Sequence, residues 1–263
     1  MTDVTVSVVI PVKDDDRMLR RCLEALAVQT RPADEVLVVD NGSTDRSAAV
    51  ARAAGARVTR CDRPGIPEAA AHGYDRATGD LILRIDADCV PDPSWIAAVL
   101  TTFDRHPAAG AVTGGARFID GPRSLRAPLA HLYLGAYTIV GAVTLGHLPL
   151  FGSNLALRRH VWRRVRHGVH RGDDTVHDDF DLSFHIGERH RIRHLPASTM
   201  GISMRPFRDA RSFGRRIGRG ARTVLRHWPD DFPPLRWNRL VIRRAFARHA
   251  RRSADRGRAR RHP

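Results

Sequence analysis

The sequence predicts an α/β fold: a mostly parallel, Rossmann-like sheet flanked by helices, followed by a helical, arginine-rich extension. Three observations carry that prediction. Apolar runs rich in β-branched residues recur at VSVVIPV (6–12), EVLVVD (35–40) and DLILRID (80–86), as in strands covered on both faces. Segments of helical periodicity alternate with them, which implies right-handed crossovers. The 263 residues suffice to bury one large core plus an appended segment.

Taken in order, Asp14, Asp15 and Asp16 follow the first strand and can cap the next helix. In that helix Leu19, Cys22, Leu23 and Leu26 form one apolar face. NGSTD (41–45) is a turn into the helix RSAAVARAAG, 56–60 is a short third strand, and 66–78 reads as a helix. A capped helix, PDPSWIAAVLTTFDRH, and a strand-like segment, AAGAVTGGARFID, follow the fourth strand. HDDFDLSFHIGERH has the makings of a helix, as do 208–227 and 235–250, and RRSADRGRARRHP reads as disordered. In parallel sheets ligands sit beyond the carboxyl ends of the strands. Pro11, Asp40 and Asp86 all fall there.

Charge divides the chain. Residues 1–204 hold 25 Lys+Arg against 24 Asp+Glu, whereas 205–263 hold 19 Arg against 4 Asp. The formal net charge of +16 therefore belongs to the tail, which can face phosphates, anionic lipid or only solvent. A nucleic-acid binder acting through that tail is the alternative reading. It lacks interleaved aromatics and leaves the acidic residues unexplained, so no nucleic-acid partner is expected. Cys22, Cys61 and Cys89 have no metal-like spacing and read as reduced thiols. MTDVTVSVVIPV has no basic n-region and too short an apolar run for a signal peptide. The expected location is cytoplasmic, either free or peripheral at the inner face of the membrane. Residues 127–157 carry no Asp, Glu, Lys or Arg. Glycines and histidines dilute the stretch as a span, so a helix packed in the core or lying in a membrane interface is expected.

Asp86 and Asp88 stand two apart on an extended segment, so their side chains can converge on one ligand. Such a pair suits a hard divalent ion bridging phosphate oxygens, although Asp-x-Asp is also common in polar loops. His167, His170 and His177 read as solvated loop histidines, and His72 as a surface or packing residue.

The strand ending in Pro11, the Cys22-Leu23 helix, QTRP (29–32), VVDNGSTD (38–45), GYDRATGDLILRIDAD (73–88), FGSNLALRR (151–159) and DDFDLSFHIG (178–187) together resemble family 2 glycosyltransferases, which have the GT-A fold. The resemblance covers most of residues 4–190. It implies a metal-dependent, inverting transfer of one sugar from a nucleoside-diphosphate sugar, UDP- or GDP-linked, to a glycan or lipid-linked acceptor. It also implies Mn²⁺ or Mg²⁺ as cofactor and a place in cell-envelope glycan or glycolipid synthesis. Carried over by residue, Pro11, Val12 and Asp40 with Asn41 form the nucleoside pocket. Asp14 faces base and ribose, or caps a helix. Asp86 and Ala87 lie along the donor, Asp88 binds the metal with Asp86, and Asp179 is the base. Gly152, Ser153, Asn154 and Asp178 lie on the acceptor side. Adjacent acids at 178 and 179 repel, which should raise the pKa of one. The implied catalytic domain is 1–204, its nucleotide-sugar half about 1–115 and acceptor half 116–204. Residues 205–263 would form a basic tail facing an anionic membrane surface or only solvent.

Two departures limit the carry-over. AAAHG (69–73) lacks the Arg and Asn that many members carry before the fourth strand. The Gln-x-x-Arg-Trp signature of polymerising members is also absent, which points to a single addition.

Overall fold

The computed structural model of the protein describes residues 4–195, 200–207, 210–243 and 245–246. The first half runs β1 (Val6–Val12), α1 (Asp16–Ala27), β2 (Glu35–Asp40), α2 (Ser47–Ala53), β3 (Arg57–Arg60), α3 (Ile66–Arg76), β4 (Leu81–Arg84), β5 (Val90–Pro91) and α4 (Trp95–Arg105). There follow β6 (Ala109–Thr113), β7 (Arg117–Phe118), α5 (Arg123–Leu145), β8 (Leu155–Arg158), α6 (Arg159–Val165), α7 (Asp178–Arg189), β9 (Arg191–His194), β10 (Met200–Ile202) and α8 (Ala210–Arg226). Residues 233–243 are again helical.

Seven strands form the main sheet in the order β3-β2-β1-β4-β8-β6-β9. All pair in parallel except β8, which runs antiparallel to β4 and β6. The α/β prediction therefore holds. Period-two alternation sorts β1 between two cores. Val6, Val8, Ile10 and Val12 pack with α1 and α4, whereas Val9 joins Leu37, Val39 and Ile82 under α3, α6 and α7. Helix α3 approaches closely because Gly73 faces the sheet. A Cβ there would lie 2.4 Å from Val9 Cγ1 and 2.8 Å from Val39 Cγ2.

The structure corrects the sequence reading at four places. The fourth strand stops at Arg84, so Asp86 and Asp88 stand on the turn beyond it. AAGAVTGGARFID is not one strand: β6 enters the main sheet, while β7 joins β5 and β10 in a separate three-stranded sheet. The uncharged stretch supplies most of α5, but α5 is not a core helix. It buries only Ala130, Gly141 and Leu145, leaving Leu132, Ile139, Val140 and Val143 exposed. Finally, residue 204 is no packing boundary. Arg236 is fully buried, bonded to the Leu145 and Phe184 carbonyls, and Thr223 and His227 bond to His177 and Asp181. The disorder expected for RRSADRGRARRHP lies outside the described residues.

Candidate active site

The parallel register of β1 and β2 sets Pro11 beside Val39 and Val12 beside Asp40. β4 ends next to them, and because β8 is reversed, the Phe151–Asn154 turn before it arrives at the same sheet edge. The first turn of α7 closes the far side. A cleft of about 290 Å³ forms there, lined by Pro11, Val12, Asp15, Asn41, Arg84, Asp86, Ala87, Asp88, Ser153, His177, Asp178, Asp179, Arg205 and, from α5 and α8, Tyr133, Tyr137, Arg216 and Arg219. Carboxylates about ninety residues apart in the chain thus share one wall.

Arg84 joins them. Only 3% exposed, its Nη2 lies 2.8 Å from Asp86 Oδ1 and 3.3 Å from Asp178 Oδ2. Gly152 makes room for it, since a Cβ at 152 would lie 1.5 Å from Arg84 Nη1. Asp86 also accepts the Ser153 hydroxyl at 2.6 Å. Asp88, 22% exposed, pairs with Arg205 at 2.9 Å. Arg205 also pairs with Asp15. Burial, and then the charge of Asp86, push the Asp88 carboxyl up despite Arg205.

Asp179 is held on both oxygens. The Gly152 N–H donates to Oδ2 at 2.7 Å, and His177 Nδ1 lies 2.9 Å from Oδ1. Burial alone would raise its pKa. His177, Arg84 and the Gly152 N–H outweigh burial and bring it down to about 2. The neighbour behaves oppositely: burial raises Asp178 against the pull of Arg84. The expected splitting of the adjacent acids is therefore present, with Asp178 the acid that is raised. His177 is also shifted. Burial favours its neutral form, but the charges of Asp179 and Asp178 carry it above the usual imidazole value.

Several residues fall elsewhere than the sequence suggests. Asp14 has a left-handed φ of 50° and spends its carboxylate on the Thr44 N–H and hydroxyl, so it ties two loops and does not line the cleft. Asp40 accepts the Ser43 N–H. Asn41 lines the cleft, but its amide is occupied by the Cys61 and Arg63 carbonyls and the Gly65 N–H. Asn154 is buried between the Gly115 carbonyl and the Trp95 indole N–H, while Gly152 acts through its N–H and its missing side chain. His177 and His170 are not solvated: each meets a carboxylate, Asp179 and Asp181 respectively. His72 contacts the Thr59 hydroxyl, as a packing residue would. Missed altogether were Arg84, which reads as an ordinary member of a strand, and Arg205, which reads as tail. A basic residue inside an apolar run directly before Asp-x-Asp was the available signal for Arg84.

Asp86 and Asp88 bring carboxylate oxygens within 4.8 Å of each other and of the Cys89 sulfur. The thiol is buried, pushed far up by that burial, and directed at the Ser153 carbonyl, so the usable donors are oxygens. Asp86 and Asp88, paired with Arg84 and Arg205 respectively, offer hard oxygen donors of the kind that fit a divalent cation such as Mn²⁺ or Mg²⁺.

Comparison with known proteins bears on the family and the fold. The family described as "Glycosyl transferase family 2" matches residues 7–165. A glycosyltransferase of Haloferax volcanii, AglE, is 32% identical over 106 residues, covering 37% of this chain and 35% of that protein. The glucosyl-3-phosphoglycerate synthase of Mycolicibacterium paratuberculosis is 32% identical over 113 residues, covering 38% of this chain and 34% of that one. The matches thus span about a third of these relatives. Among solved structures, the glucosyl-3-phosphoglycerate synthase of Mycobacterium tuberculosis in complex with Mg²⁺ and UDP superposes with a TM-score of 0.60. Its identity is 21%, over 85% of this chain and 79% of that one. At that identity the likeness establishes a shared fold.

Proposed function

The chain belongs to glycosyl transferase family 2, and from that premise we propose that it moves one sugar from a nucleoside-diphosphate donor to an acceptor hydroxyl or phosphate. The observation that carries the reading is the convergence, through buried Arg84, of Asp86 and Asp88 with Asp178 and Asp179 around one cleft. Asp86 and Asp88 hold the divalent cation. When bound, it offsets the charge that develops on the departing diphosphate. Arg205, Arg216 and Arg219 line the same cleft, and guanidinium groups suit diphosphate oxygens. Asp179 takes the acceptor's proton, with His177 and the Gly152 N–H fixing its carboxylate. A single displacement served by one base inverts the anomeric carbon. The mycobacterial synthase crystallised with UDP and either Mn²⁺ or Mg²⁺ supports UDP as the first donor nucleotide to try.

Calorimetric titration of UDP-, GDP- and dTDP-sugars with and without Mn²⁺ tests the reading. One donor class should bind, and only with metal. Asp88→Asn should weaken that metal-dependent binding about 100-fold, as loss of a ligand exceeds the 10–100-fold cost of losing an outer partner. No metal-dependent binding of any donor would overturn the reading.

The acceptor is proposed to be lipid-linked, reached from an anionic membrane surface. α5 is long and apolar enough to cross a membrane by length and composition. Yet Tyr133 and Tyr137 on it line the cleft, and its Gly141 is fitted against Pro149 and Phe180. Spanning would pull the site apart. Exposed Leu132, Ile139, Val140 and Val143, on the helix whose Tyr133 bonds to Arg216 of α8, support a helix lying in the interface. Flotation should show association with phosphatidylglycerol vesicles, lowered several-fold by Ile139→Ser with Val140→Ser. Equal recovery with neutral vesicles, or no effect of the substitutions, contradicts it.

A further inference from the structure

Behind α7, away from the cleft, three imidazoles surround one carboxylate. Asp181 and His185 stand one turn apart on the same face of α7, His170 comes from the loop before α7, and His227 from the turn after α8. His170 Nδ1 lies 2.7 Å, His227 Nε2 2.9 Å and His185 Nε2 3.7 Å from Asp181 Oδ1. The four potential ligand atoms all lie within 4.8 Å of one another. His185 Nε2 is buried and has no hydrogen-bond partner, since 3.7 Å is too long for one.

We propose that Asp181, His170, His185 and His227 form a structural Zn²⁺ site that clamps the C-terminal segment to α7. Zinc accepts imidazole nitrogen and carboxylate oxygen in tetrahedral sites, where four protein ligands leave no open position. Ligand atoms about 2.0–2.1 Å from a tetrahedral ion stand about 3.3 Å apart, within the spread seen here. The ion gives the His185 nitrogen the partner it lacks and separates the two nitrogens now crowded on Oδ1. An outer partner is also in place: Asp231 Oδ2 lies 3.5 Å from the other nitrogen of His227, the carboxylate–histidine–metal arrangement that orients a ligand ring. His227 further stacks on Phe184 with ring centroids 3.9 Å apart, so its ring plane is set by packing. Donor chemistry separates this site from the cleft, because nitrogen-rich sets select zinc whereas paired carboxylates suit Mg²⁺ and Mn²⁺. The clamp ties the loop before α7, α7 itself and the end of α8. It would thereby hold Asp178 and Asp179 on α7 in place against Arg216 and Arg219.

The test uses the full chain, dialysed against EDTA and titrated with Zn²⁺ and, separately, Co²⁺. The expected result is one equivalent of Zn²⁺ bound, a higher melting temperature with Zn²⁺, and the intense visible absorption of four-coordinate Co²⁺. His185→Ala removes a side chain that makes no hydrogen bond through Nε2. It should melt like the EDTA-treated parent and bind Zn²⁺ about 100-fold or more weakly. Asp88→Asn should retain the zinc response, which assigns it to this site. Failure of the unsubstituted chain to bind Zn²⁺ stoichiometrically, a weak six-coordinate Co²⁺ spectrum, or unchanged binding in His185→Ala would each overturn the proposal. The Co²⁺ spectrum of the unsubstituted chain decides the matter even if His185→Ala does not fold.

Discussion

Arg84→Met should lower the melting temperature by about 10 °C and abolish transfer. Arg84 is a buried guanidinium set among Asp86, Asp178 and Asp179, with Asp86 and Asp178 at 2.8 and 3.3 Å from its Nη2. Methionine fills much of the volume but removes the charge. Breaking a buried pair while leaving its partners behind costs about 3–5 kcal/mol, and each kcal/mol moves the midpoint of a domain this size by about 2–4 °C. The stranded carboxylates respond by taking up protons. Asp178, already raised by burial, would rise further, so the loss should be larger at alkaline than at mildly acidic pH. Arg84→Lys keeps the charge but not the planar fork and should fall between. Gly152→Ala should resemble Arg84→Met, because its Cβ would claim the place of the guanidinium. Calorimetric melting of the three variants checks the set. A midpoint for Arg84→Met within about 2 °C of the parent would show that the carboxylates need no internal counterion.

Asp179→Asn should lower the turnover number by about 10²–10⁴-fold, the usual contribution of a positioned base, while leaving metal-dependent donor binding intact. The carboxylate accepts on both oxygens, so it is oriented before the acceptor arrives. With its pKa at about 2, it is ionised throughout the working range and sets no acidic limb there. Asparagine keeps the shape but turns one acceptor into a donor facing either the Gly152 N–H or His177. The melting temperature should therefore also drop by a few degrees, for a cost of about 1–3 kcal/mol. The separation matters: Asp88→Asn is expected to lose binding, Asp179→Asn to keep binding and lose transfer. Turnover of Asp179→Asn within tenfold of the parent would remove Asp179 from the chemistry.

Different parts of this site were legible to different degrees. Asp86, Asp88 and Asp179 stood out because their motifs are local: each sits within a few residues of the strand or helix that presents it. Arg84 did not, because a lone arginine in LILRID reads the same whether it faces solvent or a carboxylate ninety residues away. His177 and His170 failed for the same reason, since their partners depend on how the loop folds back on α7. The error also ran the other way. Asp14 and Asn154 lie inside recognisable motifs, yet their side chains bond to Thr44 in one case and to Trp95 and Gly115 in the other. The 127–157 stretch predicted a helix, but composition could not say which face would find a partner.

What the sequence determined by itself was the alternation of strands and helices from β1 to β4, the sheet edge their carboxyl ends define, and the acids offered there. Those follow from periodicity, turn residues and short motifs, all of which act over a few residues. Only the tertiary structure decided which charges meet. Reversal of β8 brings Gly152 and Ser153 to the edge of β4, and α7 then delivers Asp178 and Asp179 to Arg84. The return of the later described residues onto the first 204 puts Arg205 beside Asp88 and His227 beside Asp181. Ion pairs act through space at 3–4 Å and carry no information about separation along the chain. A residue's partner, and with it the residue's pKa and role, is fixed by packing.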